Sequence, residues 1–110
     1  MEVTFSTSKM QKLCNSASKL RGEYGPRMAE VIQRRLADLQ AATNLEVMRT
    51  LPGRCHELTG DLAGKLALDL VHPDRLLIEP NHDPKPAKDD GGLDWKQVTK
   101  ITVVAIGDYH

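Results

Sequence analysis

Aromatic residues, cysteines and long apolar runs are scarce in this sequence of 110 residues. Four residues are aromatic, one Phe, two Tyr and one Trp, so the core must consist mainly of aliphatic side chains. No apolar run approaches the roughly 20 residues that span a bilayer. The first residues also lack the charged and apolar regions of a signal peptide. We therefore expect a cytoplasmic protein that does not associate with a membrane.

The two cysteines, Cys14 and Cys55, lie far apart and do not have the CxxC spacing of a metal or redox pair. A zinc site made from both cysteines together with His56 and His110 would match no compact ligand pattern. We expect both thiols to be buried and reduced. The sequence predicts neither a metal nor another cofactor.

Charge is balanced over the whole chain but not along it. Residues 1–50 contain eight Lys and Arg against five Asp and Glu, and residues 51–110 contain seven against ten, which gives +3 and −3. A basic first half suits RNA phosphates, although so small an excess is also typical of a solvated surface. The length and composition predict one globular domain over residues 1–110.

The first half of the chain predicts a strand followed by a helix hairpin. Residues 2–5 alternate polar and apolar side chains, as a short half-buried strand does. Ser8 and Gln11 form a capping-box pattern before a helix that should end near Gly22. Gly25-Pro26 then predicts the start of a second helix, antiparallel to the first.

The second helix has an apolar face and a basic face. The basic face is predicted to carry three arginines: Arg27, Arg34 and Arg35. Thr43 is a suitable cap for a further helical turn, which Pro52-Gly53 should end.

Beyond this point the apolar pattern changes to a period of two, which predicts strands. The predicted strands cover residues 54–58, 66–70, 75–79 and 101–106. Residues 80–95 should form a long inter-strand loop, because prolines, glycines and paired acids disfavour a strand or a helix there, and Trp95 should fix its far end. The expected fold is α+β: an N-terminal strand, a helix hairpin, then an antiparallel β-meander of three to four strands in one sheet with the helices on one face.

Three segments carry a resemblance to a known family. They are Cys55-His56-Glu57-Leu58-Thr59-Gly60-Asp61, Asp74-Arg75-Leu76-Leu77-Ile78 and Ile106-Gly107-Asp108-Tyr109-His110. Their order and spacing resemble the HigB toxins of the RelE/ParE superfamily. The first motif alone is weak and a strand arginine is nearly uninformative, but an Asp-Tyr-His that follows both is much more specific.

The resemblance implies a RelE-like fold and a ribonuclease that cleaves messenger RNA on the ribosome. It also implies that a helix-turn-helix antitoxin of the HigA type silences the protein. The residues carried over by position are His56, Arg75, Asp108, Tyr109 and His110.

These residue types suit RNA cleavage, in which the 2′-hydroxyl attacks the adjacent phosphate and the 5′-oxygen leaves. The reaction needs a general base, a general acid and a cation on the phosphate. We favour His110 as the base and His56 as the acid, with the reverse assignment left open. Arg75 would stabilise the developing charge.

Asp108 and Tyr109 have supporting roles in this interpretation. Asp108 would orient an imidazole, and Tyr109 would stack on a base or donate its hydroxyl to phosphate. A regular strand would direct Tyr109 away from its two neighbours, so we expect the last residues to leave the sheet at Gly107.

Further candidates contact RNA rather than act in the reaction. They are Lys65, Arg27, Arg34 and Arg35. The alternative interpretations, in which these residues have no functional role, are an Arg75 ion pair with Asp74 or Glu79, and solvated loop positions for His72 and His82.

Two other functions remain open. A catalytically inactive toxin-fold module that binds an antitoxin or regulator is favoured by Thr59, which stands where relatives commonly have lysine, by the neutral charge and by the acidic 80–95 loop. Inhibition of DNA gyrase, as in ParE-like relatives, is a third possibility, but the Asp-Tyr-His segment argues against it.

Overall fold

The structure, a computed structural model, describes residues 1–109. Its strands are β1 (Glu2–Phe5), β2 (His56–Glu57), β3 (Leu66–Asp69), β4 (Arg75–Pro80) and β5 (Lys100–Gly107). Its α-helices are α1 (Ser8–Cys14), α2 (Ala17–Tyr24) and α3 (Pro26–Ala41). Short 3₁₀ helices cover Leu45–Thr50, Gly60–Leu62 and Trp95–Gln97. The predicted order of strand, helices and meander is confirmed.

The first arm of the helix hairpin is two helices, so the prediction of one helix ending near Gly22 is wrong. The Ser16 hydroxyl accepts a hydrogen bond from the Lys19 amide at 3.1 Å and begins α2. This cap satisfies an amide at the start of a helix, and it competes with continuation of α1. α2 then passes through Gly22 and ends at Tyr24.

Two predicted caps are displaced by one residue. Thr7 caps α1 in place of Ser8, because its hydroxyl accepts from the Met10 amide at 3.0 Å. Asn44 caps the turn Leu45–Thr50 in place of Thr43. The start of α3 at Pro26 is confirmed, after Gly25 in a left-handed conformation with φ 82°.

The five strands form one sheet in the order β1-β5-β4-β3-β2. Strands β2 to β5 are the predicted antiparallel meander, whereas β1 pairs in parallel with β5 at the edge. β2 is shorter than the predicted strand at residues 54–58. A bulge in the β4–β5 pairing lies at Leu77/Ile78.

The sheet has a helical face and an outer face. Apolar residues of β3, β4 and β5 pack with the helices in the main core: Leu66, Leu68, Leu76, Ile78, Ile101 and Val103. Because side chains alternate along a strand, the residues between them point to the outer face. The outer face includes buried Ala67 and Leu77, and it carries the polar ends of the strands.

Trp95 fixes the far end of the long loop, as predicted. Its ring is buried, and its indole N–H donates to the Glu57 carboxylate at 3.1 Å. The Arg49 guanidinium lies 3.7 Å from the ring centroid, in a cation–π arrangement.

His82 is not a solvated loop residue, which corrects the sequence-based interpretation. Its Nε2 accepts hydrogen bonds from the backbone amides of Thr99 and Lys100, at 3.1 and 3.3 Å. The half-buried ring thus ties the loop to the start of β5.

Both cysteines are buried free thiols, as predicted. Burial raises the pKa of Cys14 to about 11 and that of Cys55 to about 12. Such thiols carry little thiolate at neutral pH and are poor nucleophiles. None of the helices within residues 1–109 combines the length and apolarity that crossing a bilayer requires.

Candidate functional site

The polar ends of three strands meet at one edge of the outer face. Asp69 ends β3, Arg75 begins β4 and Gly107 ends β5, and the sheet register pairs Asp69 with Arg75 and Arg75 with Gly107. His56 pairs with Ala67, two residues before Asp69, so it shares this face. The topology therefore brings two predicted site residues, His56 and Arg75, into one neighbourhood.

Asp69 lies at the centre of this cluster, although the sequence did not single it out. The Arg54 Nε donates to its Oδ2 at 2.9 Å, and the Arg54 Nη2 donates to its Oδ1 at 3.3 Å. The Arg75 Nε lies 3.5 Å from Oδ1. Burial alone would raise the Asp69 pKa, but Arg54, Arg75 and His56 together hold it below its ordinary value. The carboxylate is therefore ionised at neutral pH.

Arg75 is held firmly in place. Its side chain is only 12% exposed, and its Nη1 donates to the Tyr109 carbonyl oxygen at 3.3 Å. Its Nε is buried and has no hydrogen-bond partner among residues 1–109. Within residues 1–109 Arg75 forms its ion pair with Asp69, not with Asp74 or Glu79 as the alternative interpretation predicted.

His56 is oriented by its own segment. Its Nδ1 lies 2.7 Å from the Arg54 carbonyl oxygen, and because a carbonyl only accepts, Nδ1 must carry the proton. In the neutral ring the lone pair then lies on Nε2, which can accept a proton.

The end of the chain leaves the sheet as predicted, at least as far as Tyr109. β5 ends at Gly107, and Asp108 and Tyr109 are outside the strand. A Cβ built on Gly107 would lie 3.0 Å from the Tyr109 ring, so glycine allows the ring to fold back over the strand end. His110, the predicted general base, lies outside the described residues.

A cleft of about 380 Å³ opens beside these groups. It is lined by Arg54, Asp69, Leu70, His72, Asp74 and Arg75, and we call it the Asp69 cleft. Sequence reasoning missed Arg54. His72 is exposed in a turn, in agreement with the predicted loop position, and because this turn joins Asp69 to Arg75 it lies at the same edge as both.

The predicted RNA-contacting residues do not form one surface. Lys65 is on the outer face, where its Nζ lies 3.9 Å from the Glu79 carboxylate. Arg27 is exposed on α3, and exposed Arg34 pairs with Glu30.

Unlike Arg27 and Arg34, Arg35 is not an exposed residue of the predicted basic face. This side chain is half-buried, and its Nε donates to the Asp69 carbonyl oxygen at 2.9 Å. It thereby joins α3 to the end of β3 and supports the Asp69 cleft from behind. This hydrogen bond satisfies a strand-end carbonyl.

The element order and the single five-stranded sheet define a RelE-like α+β fold, as predicted. A solved structure that shares it is one chain of the YoeB-YefM complex from Staphylococcus aureus, with a TM-score of 0.56 and 16% sequence identity. The match covers 100% of this chain and 97% of that chain. At this identity the likeness shows the fold alone. No protein-family model and no curated protein sequence matches the chain.

Proposed function

We propose that this protein is the toxin of a type II toxin–antitoxin system and that it cleaves messenger RNA on the ribosome in the cytoplasm. The shared fold supports the toxin assignment, because YoeB of the YoeB-YefM complex is a RelE-family toxin. The resemblance of three segments to HigB toxins supports the finer assignment. The partner would be a helix-turn-helix antitoxin of the HigA type.

The position of Arg75 is the observation that supports the proposed cleavage of messenger RNA. A guanidinium that is 12% exposed, anchored on a backbone carbonyl and at the same sheet edge as His56 is a preorganised cation for a phosphate. Preorganisation matters because the group need not move when charge develops on the phosphate oxygens.

His56 and His110 would transfer the protons. The bonded Nδ1 of His56 leaves Nε2 to accept a proton when the ring is neutral, or to donate one when it is charged. We keep His110 as the favoured base and His56 as the acid. Asp108 would orient an imidazole, and Tyr109 would contact a base or the phosphate.

RNA contacts outside the reaction centre would come from Lys65 on the outer face and from Arg27 and Arg34 on α3. All three are cations at positions where solvent or a partner can approach. Arg35 is proposed only as a support for the Asp69 cleft, because its guanidinium is bonded to the sheet.

The test is primer extension on cellular messenger RNA after induced expression. Wild-type protein should produce discrete cuts and His110→Ala should produce none, with Lys88→Ala in the exposed loop as a control that cuts like wild type. Cuts by His110→Ala at wild-type frequency would discard His110 as the base. Absence of cuts with wild-type protein would discard the nuclease.

The second candidate is a catalytically inactive binding module. It is favoured by one observation: Asp69 already forms ion pairs with the two guanidinium groups that a phosphate would need. In that case the wild-type protein would bind its antitoxin but would not arrest growth. The primer-extension result separates the two candidates.

A further inference from the structure

Arg54 has a backbone conformation that is uncommon for a residue with a side chain. Its φ is 49°, in the left-handed region, and it follows Gly53 with φ 107°. Non-glycine residues in this region are found where surrounding contacts enforce the conformation, and they cluster at functional sites. The contacts around Gly53 and Arg54 therefore enforce this conformation.

Neighbouring contacts fix this segment. The Asp69 amide donates to the Gly53 carbonyl oxygen at 2.6 Å. A Cβ on Gly53 would lie 2.6 Å from the Arg35 Nε, so only glycine fits against that guanidinium. Arg35 in turn donates to the Asp69 carbonyl oxygen. The backbones of Arg54 and Asp69 are thus locked beside each other.

With both backbones fixed, two guanidinium groups converge on one carboxylate. Arg54 contacts both Asp69 oxygens through two nitrogens, at 2.9 and 3.3 Å, and the Arg75 Nε lies 3.5 Å from Oδ1. The fork of an arginine binds a carboxylate and a phosphate in the same bidentate geometry. Asp69 therefore occupies the position that two phosphate oxygens would take between these cations.

We propose that Arg54 is a second phosphate-binding group of the site, and that Asp69 is an internal anion which an RNA phosphodiester displaces from Arg54 and Arg75. This rests on the proposed function for the identity of the ligand. It assigns the Asp69 cleft to the phosphate and the adjoining nucleotide.

The solvent exposures of Arg54, Asp69 and Arg75 are consistent with displacement of the Asp69 carboxylate by a phosphate. Arg54 is 62% exposed and Asp69 is 37% exposed, whereas Arg75 is 12% exposed and anchored to Tyr109. An ion pair this open to solvent stabilises the fold little, so exchanging its anion costs little. Arg75 would remain in place while the Arg54 side chain exchanges the carboxylate for phosphate.

Displacement makes a prediction opposite to that of a purely supporting role. If Asp69 competes with phosphate, its neutralisation should strengthen RNA binding, and the gain should require Arg54. If Asp69 only holds the arginines in position, its neutralisation should weaken binding. A simple change in net charge would act equally at any acid in the cleft.

The experiment measures binding of a fluorescent RNA oligomer in which every ribose is 2′-O-methylated. This probe has no attacking hydroxyl, so binding is read without cleavage. Fluorescence anisotropy gives the Kd of wild type, Asp69→Asn, Arg54→Gln and the double variant. Asp74→Asn is the matched control, because Asp74 lines the same cleft while the ion pairs of Arg54 and Arg75 within residues 1–109 are with Asp69.

We expect Asp69→Asn to bind the RNA about tenfold more tightly than wild type does. A gain of this size is typical of one charge-assisted hydrogen bond, which the RNA phosphate would form with Arg54 in place of Asp69. Asp74→Asn should change the Kd by less than about threefold. Arg54→Gln should weaken binding and should cancel the gain in the double variant. The RNA affinity of Asp69→Asn should depend more steeply on salt concentration, by the amount expected for about one additional phosphate contact.

Equal or weaker binding by Asp69→Asn than by Asp74→Asn, with both variants folded by circular dichroism, would overturn the displacement and leave Asp69 as a support. If the double variant keeps the gain in RNA affinity of Asp69→Asn, Arg54 is not a phosphate-binding group. No binding by any protein, Asp69→Asn included, would also overturn the proposal. The cleavage assay judges the nuclease independently of these outcomes.

Discussion

On the helical face of the sheet, the cross-strand neighbours Leu68 and Leu76 are fully buried, whereas one residue further along the same strands Asp69 and Arg75 form an ion pair on the outer face. A single residue step thus separates the apolar core from a charged cluster. The period of two in a strand makes this possible, since adjacent side chains point to opposite faces. The apolar core and the candidate site therefore lie on opposite faces of the same sheet.

The largest effect on folding should come from the helical face. Leu76→Ala should lower the free energy of unfolding by about 3 kcal/mol, because it removes buried methyl groups and leaves a cavity. Lys65→Ala on the outer face should change it by less than about 0.5 kcal/mol, since its ion pair with Glu79 is long and partly exposed. Urea denaturation of both variants checks the contrast, and equal losses would break it.

A smaller effect should appear in the acid stability of the outer face. The folded-state pKa of Asp69 is lowered, so its ionised form stabilises the fold fully above the unfolded value near 4. That contribution is lost as the pH falls through the lowered folded-state pKa. Because Asp69 is 37% exposed, we expect it to stay below about 1 kcal/mol.

Urea unfolding at pH 7 and below pH 3, for wild type and Asp69→Asn, measures this contribution. Wild type should be the more stable at pH 7, and the difference should shrink in acid. Asp74→Asn is the control for general charge effects. A difference that grows as the pH falls would mean that the Asp69 carboxylate is not stabilised in the folded protein.

Much of the fold could be predicted because its signals are local and repeated. Alternating leucines indicated β3, and Gly25-Pro26 indicated the start of α3. The break between α1 and α2 was not predicted, because Ser16 is a good cap within an otherwise continuous apolar pattern. The parallel pairing of β1 with β5 depends on residues about 100 positions apart, and no local pattern reports such a pairing.

The candidate site could be predicted only where a motif marked a residue. His56 and Arg75 were found through their resemblance to family segments, and the sheet brings them to one edge. Arg54 was not predicted as a site residue, because its importance depends on a left-handed backbone and on the position of Asp69 across the sheet. Arg35 was misplaced because helical periodicity does not reveal a strand end that needs a donor.

The central claim is that Arg75 on the outer face is the cation of an RNA-cleaving site, and cleavage of a 5′-labelled messenger RNA on purified ribosomes tests it most directly. Wild type and Arg21→Ala, altered on an exposed part of α2, should cut at the same rate, and Arg75→Ala should be at least about 100-fold slower while remaining folded. Folded Arg75→Ala protein that cuts as fast as wild type would contradict the account.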